Sequence, residues 1–146
     1  RSATDKFNLA NFMRTNLYAS VCVLKIGNDI LFHDENVQVD RITAHGGLFK
    51  TPLVGQRILA AALGSPISVM QTAGEGGAWG IALLAGYMAN NPDRLTLADY
   101  LEKVVFAGNT GTSITPDPVD VEGFEKYIAD YKRGLAIEKC AVDNKK

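Results

Sequence analysis

Apolar residues recur at helical spacing through the first part of the chain, at Leu9, Phe12, Met13, Leu17, Val21 and Leu24, and the pattern continues through Ile30 and Phe32. It predicts one long helix over about residues 8–33 with a face against a sheet, capped by Asn8 or Asp5. Gly27 is the candidate bend, because glycine costs about 1 kcal/mol relative to alanine inside a helix. A polar exit at His33, Asp34 and Glu35 leads to the β-favouring residues 37–44, a strand that delivers Gly46 and Gly47. Residues 52–63 predict an amphipathic helix with Leu53, Val54, Ile58, Leu59, Ala62 and Leu63 on its buried side. Pro52 would open it in the first turn, where a missing N–H does no harm.

Gly64-Ser65-Pro66 stops that helix, and residues 67–71 predict a second short strand. A second glycine-rich turn, residues 72–77, leads into a helix over 78–88. Its small residues Ala78, Gly80, Ala82, Ala85 and Gly86 suit close approach to a sheet or helix, with Trp79 as a packing anchor. A further helix is expected over 97–106, capped by Thr96, and then a loop over 107–118 with an edge strand at 112–115. Gly111-Thr112-Ser113 reads as a turn, since no apolar strand precedes it and proline follows. Val121, Phe124, Tyr127, Ile128 and Tyr131 predict a helix over 120–131, and the polar tail from Lys139 is expected to fray. No internal repeat is present.

Composition narrows the class. A chain of 146 residues, 47% hydrophobic and 21% charged, can bury a core of its own as one α/β domain. A net charge of −1 with no long basic block argues against nucleic acid or an anionic membrane as the main partner. No apolar run reaches the length of a membrane span. Cys22 and Cys140 stand far apart and outside any metal-ligand spacing, so two reduced thiols in a cytoplasmic protein is the simplest reading. The chain opens Arg-Ser-Ala-Thr without an initiator methionine, which raises the expectation of a piece of a longer protein.

The chemistry centres on Gly46 and Gly47. A glycine pair between a strand and a helix start lets backbone approach a phosphate, and the helix N-terminus adds N–H groups and a positive dipole end. It is neither a Walker A loop nor a dinucleotide fingerprint, for no Gly-Lys-Ser/Thr opens the helix and the third glycine is missing. A tight turn with no ligand stays open as the other reading. Lys50 is either a neutraliser of phosphate charge or an ordinary solvated lysine. Gln56 is expected to hydrogen-bond locally, and Glu75 is favoured at a helix start by the dipole. Asp40 invites assignment as a catalytic base but lies at the strand end away from the glycines. His45 adjoins Gly46 and reads as a strand-end polar residue, and His33 as a solvated one. No Ser/His/Asp or Cys/His constellation and no metal-ligand cluster is evident, so no catalytic residue and no metal ligand is assigned in this chain.

The longer pattern is more specific. GGLFKTPLVGQ, then ILAAALG, the strand-like residues 66–70 and GEGGAWGIALLAGY resemble the C-terminal half of the FGGY carbohydrate kinases, in the ribulokinase and xylulokinase branches. The resemblance rests on Gly46, Gly47, Lys50, Thr51, Gln56, Gly64, Pro66, Glu75, Ala78 and Gly80 in register, and PDPVDVEGFEKYIADYKRGL is similar to the family's closing segment. It implies that residues 1–146 are the nucleotide-side part of the C-terminal domain of an actin-like ATPase (ribonuclease H-like) fold, with helices on a small sheet. The parent protein would transfer the γ-phosphoryl of MgATP to a hydroxyl of a ketose or polyol such as xylulose or ribulose. Gly46 and Gly47 would meet the adenosine and α-phosphate through backbone. Thr51 stands where relatives often carry asparagine near the adenine or ribose. The sugar site and catalytic base would lie upstream, leaving the fragment inactive alone, and an exposed apolar face would permit pairing with a copy of itself. Two other readings remain: a non-catalytic α/β interaction or oligomerisation module, and a metabolite-binding domain of another actin-like ATPase.

Overall fold

The structure, a computed structural model, describes residues 6–39, 42–108 and 111–145, apart from the side chain of Glu75. Asn8 caps the first helix, its side-chain oxygen accepting the Asn11 N–H at 2.8 Å. This helix, α1 (Leu9–Asp29), runs past Gly27 into a π-helical turn at Ile30–Asp34. Its packed face is Tyr18, Val21 and Cys22, with Ile26 partly buried. Leu9, Phe12, Met13 and Leu24 are exposed, against expectation, because α1 packs chiefly on two other helices, α2 (Val54–Leu63) and α5 (Pro118–Asp143), and not on the sheet.

The sheet has three short strands in the order β1 (Ile42–Ala44), β2 (Ile67–Val69), β3 (Thr112–Ile114). β1 runs parallel to β2 with Ile42 opposite Ile67, and β3 runs antiparallel to β2 with Thr112 opposite Val69. β1 is shorter than the predicted run over 37–44. Its partner begins only after Pro66, which has no N–H to extend the ladder, so residues 37–39 have no strand to pair with. The alternative cap Asp5 and the candidate base Asp40 lie outside the described residues.

Helix α2 is the centre of the core. It starts two residues later than predicted, because Leu53 takes a left-handed conformation (φ 67°) that a helix cannot include. Pro52 therefore stands in the preceding turn, and Leu53 and Val54 are exposed rather than buried. Gln56, Leu59, Ala60, Ala61, Ala62 and Leu63 are buried, a wider face than one stripe, since α2 lies between the strands and the helices α1 and α5. Gly55 is needed there, for a Cβ would come within 2.7 Å of Leu48 Cγ.

Beyond the sheet, α3 (Gly76–Ala89) buries none of its described side chains, and Trp79, 37% exposed, is not the expected anchor. The helix meets the rest of the chain at the turn before it and through Tyr87, stacked edge-on against Tyr100 of α4 (Leu97–Tyr100). Thr96 caps α4 as predicted, and a π-helical turn at Leu101–Val105 extends it. Gly111 leads straight into β3, so Thr112 and Ser113 are the edge strand expected there and not a turn, and a Cβ on Gly111 would sit 2.6 Å from the Val69 carbonyl oxygen. Helix α5, capped by Asp117, continues to Asp143, so the polar tail is helical: residues 135–143 hold no glycine or proline and are mostly good helix formers. Phe124 and Ile128 anchor it, with Phe124 edge-on to Tyr18 at 5.1 Å.

Candidate functional site

Because β1 and β2 are parallel, the chain leaves both at the same end of the sheet, and a glycine loop follows each. In parallel arrangements ligands gather outside the carboxyl ends of the strands. The first loop turns at Gly46, whose φ of 112° and ψ of 179° suit glycine alone, and closes into a 3-10 turn at Gly47–Lys50. The second descends through Met70 and Gln71 into a 3-10 turn at Ala73–Glu75 and then α3.

The loops are stitched together. The Gly46 N–H donates to the Ala73 carbonyl at 2.7 Å, and the Gly46 carbonyl accepts from the Phe49 N–H at 3.0 Å. The aliphatic stem of Lys50 lies over Gly74, where a Cβ would come within 3.1 Å of Lys50 Cγ and 3.3 Å of Cε. Gly76 approaches Gly46 so nearly that a Cβ on it would stand 4.0 Å from the Gly46 Cα. Between the loops opens a cleft of about 460 Å³. Lys50, Thr51 and Leu53 line one side, Met70, Gln71 and Gly74 the other, and Gln56 and Thr112 also border it. That volume is in the range of small-ligand sites.

Lys50 is the only charged residue among the described ones lining this cleft, and it makes no ion pair with any described residue. An ammonium with no ion-pair partner among the described residues, at the edge of a cleft whose other described lining is neutral, favours an anionic ligand. Lys50 and Thr51 thus stand together on the cleft wall. Gly46 and Gly47 form the bend beside it rather than its lining. Since Ala73 takes the Gly46 N–H, Gly46 offers bare Cα surface, not an amide. Gly47 is exposed, and the space where its Cβ would lie holds no atom within 4 Å. The Val54 N–H is taken by the Pro52 carbonyl at 2.9 Å. His45 is exposed beside the loop and His33 is exposed at the far end of α1.

Gln56 departs from expectation. Its amide is not bonded locally: Nε2 donates to the Ile67 carbonyl and to the Thr112 carbonyl, both at 2.8 Å, 11 and 56 residues away. A short reach fails because Gln56 points inward from α2 onto the strands, where two carbonyls need a donor. Thr112, Gln71 and Met70 were not legible as cleft residues, since β3 arrives only by long-range pairing. Away from the cleft, Arg57 pairs with Asp120 at 2.8 Å, and that hydrogen bond and charge hold its guanidinium pKa up. Among the described residues no group of three or more His, Cys, Asp or Glu could hold a metal ion.

Residues 1–89 match the model for the FGGY family of carbohydrate kinases, C-terminal domain, a stretch that holds α1 to α3, β1, β2 and both glycine loops. No curated protein and no solved structure is matched.

Proposed function

The chain belongs to the FGGY family of carbohydrate kinases, and we propose that it supplies the nucleotide-binding side of an enzyme that phosphorylates a ketose or polyol such as xylulose or ribulose. The family's C-terminal domain has the actin-like ATPase fold, and its kinases use ATP with a divalent metal. The observation that carries the proposal is the cleft between the two glycine loops, which lies at the carboxyl ends of parallel strands and has Lys50 as the one charged residue among the described ones lining it. Its size and its positive edge, with the open backbone of Gly47 in the bend beside it, fit a nucleoside phosphate.

MgATP supplies the transferable γ-phosphoryl and the charge that offsets its phosphates. The residues of this chain bind and orient. Gly46 and Gly47, in the bend beside the cleft, would offer bare backbone at its edge to adenosine and the α-phosphate, where a side chain would intrude. Thr51, with a hydroxyl that can donate one hydrogen bond and accept others, faces the adenine or ribose. Lys50 sets its ammonium near phosphate oxygens while its stem, resting on Gly74, keeps the two loops in register. The acceptor sugar and the base that takes its proton belong to the upstream half of the kinase, which makes residues 1–146 a nucleotide-side unit without turnover of its own.

Incubating the intact kinase with MgATP and a panel of ketoses and polyols tests this reading. One ADP should appear per sugar phosphate formed, for at least one member of the panel. Isolated residues 1–146 should form none. Tight ADP binding without transfer to any sugar would overturn the assigned acceptor class, and absence of nucleotide binding would favour an interaction module.

A further inference from the structure

Gln56 is the one buried polar side chain among the described residues, 3% exposed, and it sits where three elements meet. Its NH₂ group spends both protons on backbone carbonyls of two different strands, Ile67 of β2 and Thr112 of β3. Its Oε1 in turn accepts from the Thr112 hydroxyl at 3.5 Å. The residue is on the third position of α2, three residues after Leu53 and five after Thr51, and it borders the cleft itself. The backbone end of this side chain is therefore fixed in α2, directly after the cleft wall made by Thr51 and Leu53. The other end is fixed to the strands whose continuations, Val69 to Gln71 and Thr112, make the opposing wall.

We propose that Gln56 is a positioning residue that sets the spacing of the two walls of the nucleotide cleft, acting through the carbonyls of Ile67 and Thr112. This role rests on the nucleotide reading of the cleft given above. Three features support a cleft-setting role beyond ordinary core polarity. β3 is a three-residue edge strand, held by one neighbouring strand, so a side-chain tether matters to where Thr112 stands. Two donors aimed at two carbonyls define a plane, and a plane fixes orientation as well as distance. Finally, the chemistry admits few substitutes. Glutamate would set a carboxylate against two carbonyl oxygens, methionine would take the side-chain donor from the buried Ile67 carbonyl and from the part-buried Thr112 carbonyl, and asparagine is one methylene too short to reach from the same helix position.

The test is steady-state kinetics on the intact kinase carrying Gln56→Met, Gln56→Glu or Thr112→Val, with melting temperatures measured alongside. Gln56→Met and Gln56→Glu should raise KM for MgATP by about tenfold, leave KM for the sugar within twofold, and lower kcat by less than threefold. Thr112→Val, a milder change at an exposed strand residue, should raise KM for MgATP by about threefold. A residue that merely stabilises the core would lower melting temperature and active enzyme while leaving both KM values unchanged, and that outcome overturns the proposal. Should both Gln56 variants fail to fold, Thr112→Val decides alone: an unchanged KM for MgATP rejects the role. Wild-type binding of ADP is measured first. Its absence removes the nucleotide reading and this inference together, whereas wild-type binding with unaltered variants removes only the inference.

Discussion

The two loop glycines differ in what they tolerate. Gly46 sits at φ 112°, a conformation that costs any other residue on the order of 1–3 kcal/mol, whatever the space around it. Gly47 has no positive φ and open space where a Cβ would lie. Gly47→Val should therefore keep the fold, with a melting temperature within a few degrees of wild type, while filling the room a nucleotide needs. ADP affinity of the intact kinase, read by calorimetry, should fall more than about tenfold; unaltered affinity would remove the bend from the site. The cysteines supply a separate check on the packing. Burial pushes the Cys22 thiol pKa up, and Cys140 is exposed. Iodoacetamide at neutral pH should alkylate Cys140 alone, with Cys22 modified only in denaturant. Rapid labelling of both in the folded protein would contradict the core as described.

At the scale of elements, α5 is pinned by a single fully buried ring. Phe124→Ala should cost about 3–5 kcal/mol, read as a lowered denaturant midpoint, since Tyr18 and Tyr127 cannot both collapse into the space. The start of α4 carries a pH signature. Hydrogen bonds from Lys103 at 2.5 Å and from the Thr96 hydroxyl at 2.6 Å hold the Asp99 carboxyl below the usual carboxylate range. The sign follows from that depression: the contribution is complete above the unfolded carboxylate pKa and disappears as pH falls through the lower folded value. A carbon-detected titration of Asp99 should show its midpoint rising in Lys103→Ala, and no rise would mean the pair is absent in solution. Elements with a strong local signal, the α1 and α5 periodicities and the Thr96 and Asn8 caps, were legible in the sequence. What escaped was set at long range. The length of β1 depends on where Pro66 lets β2 begin, the start of α2 on the left-handed turn at Leu53, and the partners of Gln56 on strands brought beside it by the fold. Trp79 escaped for the opposite reason: its helix is apolar almost all round, yet the fold buries none of its described side chains.

For the whole molecule, the organising feature is a parallel β1–β2 pair whose glycine loops close on one another through Gly46 and Ala73. The Gly-Gly bend and the lysine after it were legible as a loop because a strand and a helix flank them. The second wall was not, because residues 67–71 read as a strand and 72–77 as a glycine-rich turn, and nothing local brings Gly74 under Lys50. Among the described residues no helix is long and apolar enough to cross a membrane. Hydrogen–deuterium exchange on the intact kinase, with and without saturating ADP, tests the central claim most directly. Exchange should slow in residues 46–53 and 70–77 together, the two sides of one cleft. Saturable ADP binding that leaves exchange in both segments unchanged would place the nucleotide elsewhere and contradict the account.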